Sequence, residues 1–165
     1  MKVFLSHQRA DTVRATEIAQ RLKSRHNIDS YLDVIDTQLG KSGPSLADYL
    51  RREIGKCTHL LAVTSLATRE SQWVPWEIGI ATEKDYPLAT FAGYSQAVPE
   101  FLAAWPYLRT LEDVDAYARA AKSADATFVV RKRMVTEASA RQESSATFFD
   151  QLRRDLGQPV SKATW

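Results

Sequence analysis

The stretch His59-Leu60-Leu61-Ala62-Val63-Thr64-Ser65 is apolar at successive positions, with no alternation through its core. A strand with one wet face alternates with a period of two. An unbroken run is buried on both faces, which places it centrally in a parallel sheet with helices on either side. Lys2-Val3-Phe4-Leu5-Ser6 is a shorter run of the same kind, and Leu88-Ala89-Thr90-Phe91-Ala92 is a third. Ile28 to Asp33 reads as a weaker strand nearer an edge, and Trp105 to Arg109 as a short fifth. Helical patterns fill the gaps. Ala15, Ile18, Ala19 and Leu22 recur at helical spacing after Asp11, which can cap them. Leu46, Leu50 and Ile54 line a second helix, from the capping-box-like Ser45-Leu46-Ala47-Asp48 to Gly55. A helix runs from Glu112 to about Lys122, and Asp125 to Leu156 adds helical material with a break near Ser144-Ser145. Strands alternating with amphipathic helices predict an α/β fold, a parallel sheet covered on both faces. The ligand crevice of such a sheet lies outside the carboxyl ends of its strands.

Composition narrows the function classes. The chain has 165 residues, enough for one domain with a sizeable core. Its net charge is +2, and residues 123–165 account for all of that excess, so nothing calls for a nucleic-acid partner. Cys57 is the only cysteine, which excludes an intrachain disulfide and a multi-cysteine zinc site. No run of 18 apolar residues occurs and no signal peptide precedes the first strand, so a cytoplasmic protein with no membrane partner is expected.

The most informative stretch chemically is Ser71-Gln72-Trp73-Val74-Pro75-Trp76-Glu77-Ile78-Gly79-Ile80-Ala81. Pro75 has no N–H to donate, so it belongs in a first helical turn. The helix then starts near Ser71 to Trp73, with Ser71 as cap, and ends near Lys84. Trp73, Glu77 and Ile80 fall at i, i+4, i+7 on one apolar, aromatic face. A carboxylate there is costly unless it is partnered or solvated in a cleft, which makes Glu77 the first site candidate.

Other candidates carry stronger bland readings. Asp33, at a strand end, commonly caps a turn. His7 is a lone loop histidine with only Asp11 nearby, so no metal site is expected. Gly40 and Gly43 in the long loop Val34 to Pro44 do not form a phosphate-cradling pattern. Arg131-Lys132-Arg133 reads as a solvated helix face. A phosphoacceptor receiver would need acids just after the first strand and an Asp ending the third; Ser6-His7 and Thr64-Ser65 stand there instead.

With those residues in view, a resemblance emerges. Val3-Phe4-Leu5-Ser6-His7 is similar to the first-strand motif of the TIR (Toll/interleukin-1 receptor) domain family. Ile28 to Asp33 and the loop with Gly40 resemble its second strand and BB loop, and Cys57 to Ser65 its third strand. Ser71, Trp73 and Glu77 resemble the S-x-W-x-x-x-E signature of enzymatic members, with Val74 where many have Cys. The likeness covers about residues 1–122, leaving 123–165 as a C-terminal helical extension packed on that domain. No Arg-Asp-x-x-Pro-Gly run occurs in the BB loop, so the chain resembles the bacterial, NAD+-cleaving type more than animal receptors.

The resemblance implies a flavodoxin-like five-stranded parallel sheet. It also implies that NAD+ is the substrate, that no cofactor or metal is needed, and that Glu77 is the catalytic carboxylate. Ser6, His7, Gln8, Asp33 and Trp73 would line the substrate cleft. Nicotinamide departs from NAD+ as a neutral molecule, so one carboxylate can suffice where glycoside hydrolysis needs an acid as well. The products would be nicotinamide with ADP-ribose or a cyclic ADP-ribose-type signal. Partners implied are NAD+, a second TIR copy through the Val34–Pro44 loop, and a separately encoded sensor or effector, as in antiphage systems such as Thoeris. The alternative is a non-enzymatic adaptor acting through homotypic contacts.

Overall fold

The computed structural model describes residues 1–32, 44–66, 68, 71, 73–93 and 100–160. Among these residues, five strands form one sheet: β1 (Lys2–His7), β2 (Asp29–Leu32), β3 (His59–Val63), β4 (Leu88–Phe91) and β5 (Tyr107–Leu108). The order is β2-β1-β3-β4-β5 and every pairing is parallel. β3 is central and fully buried, as its unbroken apolar run requires, and β2 is an edge. This is the flavodoxin-like order, with the chain reversing direction of build between β1 and β3.

Helices cover both faces. Alternation along the strands divides the core in two. Val3, Leu5, Leu61, Val63, Ala89 and Phe91 meet α1 (Thr12–His26), α4 (Leu111–Arg131) and α5 (Glu137–Asp155). Phe4, Leu60, Ala62 and Leu88 meet α2 (Pro44–Gly55) and α3 (Trp73–Glu83) through Ile54, Val74, Ile78 and Ala81.

The helix ends follow from local chemistry. α1 stops at Asn27, whose left-handed φ of 51° lets Ile28 N–H reach Leu22 O. Proline opens α2, where its missing N–H costs nothing. Ser71 caps the start of α3 by accepting the Val74 N–H at 3.1 Å, and Pro75 lies in the first turn. α4 begins with a reciprocal box: Thr110 Oγ1 accepts the Asp113 N–H, and Asp113 accepts the Thr110 N–H.

Three local expectations are corrected. Asp11 precedes α1 but makes no side-chain cap; its carboxylate turns to Ser65 instead. The helical extension breaks after Arg131, not at Ser144-Ser145. Those serines are buried mid-helix, where their small size allows close approach, and they donate to Ala124 O and Asp85 O. Of the apolar residues in 123–165, Phe148 and Leu152 are buried and Phe128 and Phe149 partly so, whereas Val129 is exposed. Position 122 lies within α4, because Ala120, Ala121 and Ala124 continue its buried face without interruption. The run Arg131-Lys132-Arg133 is a solvated helix face only in part: Arg131 ends α4 paired with Glu143, and Lys132 and Arg133 lie exposed in the turn beyond the helix. No helix among the described residues is long and apolar enough to cross a membrane.

Candidate active site

Glu77 sits in the second turn of α3 and is 1% exposed. Its neighbours on the buried stripe are Val74, Ile78 and Ala81, spaced i−3, i+1 and i+4. The spacing alone places Glu77 on one face with Trp73 and Ile80; both of these are only partly buried, flanking a stripe that Glu77 itself joins. The reason is that α3 is apolar nearly all round, so its own pattern does not reveal which side meets the sheet. Trp73 packs edge-on against Trp76, with ring centroids 5.6 Å apart at 87°.

The buried carboxylate meets β1. Ser6 is the penultimate residue of that strand, on the same face as Phe4, and is itself fully buried. Its hydroxyl donates to Glu77 Oε2 at 2.5 Å. A charge-assisted bond of this kind offsets part of the cost of removing a carboxylate from water. The pair stands near the carboxyl end of β1, beside the order reversal where open α/β sheets bind ligands.

The sheet separates the remaining candidates. His7 follows Ser6 and therefore faces the α1 side with Val3 and Leu5. It is buried, and its Nδ1 is 3.0 Å from Leu5 O. Gln8 is half-buried at the entry to the 3₁₀ turn Arg9–Asp11. Asp33 and most of the Val34–Pro44 loop lie outside the described residues. Ser6 and Glu77 are thus brought together, with Trp73 one turn earlier on α3, whereas His7 is on the opposite face.

On that opposite face a cleft of about 440 Å³ opens over the carboxyl ends of β3 and β4, between the starts of α1 and α4. Asp11, Arg14, Thr64, Ser65, Gly93 and Arg109 line it, and neither Ser6 nor Glu77 does. Ser65 Oγ donates to Asp11 Oδ2 at 2.9 Å. Burial holds the Asp11 carboxyl above its ordinary range, opposed by the Ser65 hydroxyl and the nearby His7. Arg109 donates to Gly93 O at 2.8 Å and stacks over Tyr107. No short-range pattern links Asp11 to Ser65, which lie on different loops, so local sequence carried no signal for this pair.

Cys57 is buried, and desolvation pushes its thiol up to about 11, far from a nucleophilic thiolate. Among the described residues no three His, Cys, Asp or Glu side chains come together as a metal-ligand group.

A parallel sheet of order 2-1-3-4-5 with helices on both faces defines the class: a flavodoxin-like α/β domain. The family model for the TIR domain matches residues 3–128, and the chain belongs to that family. No curated protein matches it.

Proposed function

We propose that this TIR domain cleaves the nicotinamide–ribose bond of NAD+, with Glu77 as the catalytic carboxylate. The observation that carries the reading is the Ser6–Glu77 pair: a buried acid held by a buried hydroxyl beside the sheet's crevice. In that reaction the C–N glycosidic bond breaks, its electron pair leaves with nicotinamide, and positive charge develops on the ribose. A carboxylate in a shielded site stabilises that charge without solvent reorganisation. Water then gives ADP-ribose, or an internal nucleophile gives a cyclic product. Ser6 orients the carboxylate, and Trp73 offers an aromatic wall one turn away on the same helix. The family and the S-x-W-x-x-x-E spacing of Ser71, Trp73 and Glu77 support the same assignment. By analogy with TIR proteins of antiphage systems, the chain would act with separately encoded proteins and with a second copy of itself.

One observation favours the adaptor reading. At 1% exposure Glu77 touches no solvent, so substrate reaches it only after α3 or its surroundings move. Incubating wild type and Glu77→Gln with NAD+ and separating products by chromatography decides between the two. Nicotinamide release that depends on Glu77 supports the enzyme. Equal release from both proteins removes Glu77 from the reaction, and no release from wild type, alone or assembled, leaves the adaptor.

A further inference from the structure

β5 is the edge of the sheet opposite β2. Its polar groups alternate in direction. Pro106 O accepts the Thr90 N–H and Leu108 O accepts the Ala92 N–H, so these carbonyls face β4. The N–H and C=O of Tyr107, the residue between them, therefore face away from the sheet. An outward pair of this kind is a template for another strand.

The chain's own C-terminal segment occupies it. Gln158 Oε1 accepts the Tyr107 N–H at 3.2 Å, and Gln158 Nε2 donates to Tyr107 O at 2.6 Å. One side-chain amide thus reproduces the donor and acceptor that a neighbouring backbone would present. The segment is folded back to do so. Gly157 turns it at a φ of +63°, a conformation that disfavours any residue with a side chain. Arg153 ties it to the body, with Nη1 on Pro159 O at 2.8 Å and Nη2 on Ala104 O, in the turn before β5, at 2.5 Å. Arg153, Gly157, Gln158 and Pro159 lie beyond residue 128, outside the stretch that matches the TIR family.

We infer that Gln158 is a latch that closes the β5 edge against strand pairing with a second copy of this chain, so that self-association through this edge requires release of residues 153–159. The contacts are hydrogen bonds at a partly exposed surface, with Gln158 itself half-exposed, and such bonds open at far lower cost than a core contact. The second copy brings a suitable element: β2, four residues long, ends its sheet on the other side. Pairing β5 of one copy with β2 of the next is head-to-tail and does not close on itself, so it grows into open chains.

The test uses the full chain with Gln158→Ala and, separately, Arg153→Ala, which loosens the same segment from its other anchor. Two quantities are read: hydrogen exchange of the Tyr107 amide, and sedimentation velocity over a concentration series. Both variants are expected to exchange Tyr107 about tenfold faster than wild type and to form larger species at concentrations where wild type does not. Tyr107 exchange unchanged in Gln158→Ala overturns the latch. Faster exchange with sedimentation identical to wild type overturns the edge as an assembly surface. Neither readout involves NAD+, so this inference and the proposed reaction stand or fall separately.

Discussion

Ser6 and Glu77 lie 71 positions apart in the chain and meet at 2.5 Å, hydroxyl to carboxylate, both shut off from solvent. Burying a carboxylate at the sheet–helix interface is a standing cost to the fold. Hydrophobic side chains would pack there more cheaply, as Val74 and Ile78 do on either side. That cost, borne next to the reversal of strand order, is what supports the catalytic role proposed for Glu77.

Glu77→Gln keeps the size of the side chain and its capacity to accept from Ser6, but removes the charge. Nicotinamide release from NAD+ should fall about a hundredfold or more, equivalent to about 3 kcal/mol of transition-state stabilisation. Thermal stability should hold or rise, because a buried charge is replaced by a neutral amide. A large drop in melting temperature would make the residue structural and defeat the assignment.

Ser6→Ala removes one donor to a buried carboxylate and leaves a gap of a single oxygen. The loss should be about 1–3 kcal/mol in chemical denaturation at neutral pH. Combining it with Glu77→Gln should give less than the sum of the two effects, since the neutral amide no longer depends on that donor. Strict additivity would mean that the 2.5 Å contact contributes nothing.

His59 opens the central strand from its buried end, with Nδ1 2.8 Å from the Thr58 hydroxyl and its ring against the edge of Phe148. Burial pushes its pKa down from the ordinary 6.5 to about 3, helped by the N-terminal ammonium and opposed by the Ala121 carbonyl. Asp125, Lys132 and Arg141 line the small cleft beside it. The unfolded chain therefore binds a proton that the folded chain refuses over that interval. Its contribution is intact above pH 6.5 and is lost as pH falls toward 3, at about 1.4 kcal/mol per pH unit. His59→Leu should flatten that part of the stability profile. Parallel profiles for the two proteins would show that His59 charges in the folded state.

Phe148 belongs to α5, yet it is fully buried against Tyr117, Phe149 and His59. Phe148→Ala should destabilise the whole chain by about 3–5 kcal/mol and leave one cooperative transition. Loss of α5 helicity alone, with the sheet melting as in wild type, would show instead that the extension is an appended unit.

The sheet and its helices were legible because burial on both faces leaves a mark in consecutive residues. The runs Val3-Phe4-Leu5 and Leu60-Leu61-Ala62-Val63 have no polar side to expose, and Ala15, Ile18 and Leu22 repeat at the pitch of the helix they form. The position of α3 was legible for the same reason, through Pro75 and Ser71. Its rotation was not: a helix apolar nearly all round looks the same from any side, and only contact with Phe4, Leu60 and Ala62 selected the stripe holding Glu77.

By itself, the sequence determined where the strands and the first three helices form, since those depend on periodicity within a dozen residues, but not where α4 gives way to α5. Only the tertiary structure decided which polar groups meet. Ser6 and His7 are neighbours in the chain, and the pleat of β1 sends them to opposite faces, one to Glu77 and the other toward Asp11. Asp11 exchanged a local cap for Ser65, and Gln158 found the outward amide of Tyr107. A buried or edge-facing polar group takes whichever partner the closed fold brings within reach, and that distance is a property of the whole packing, not of any local stretch.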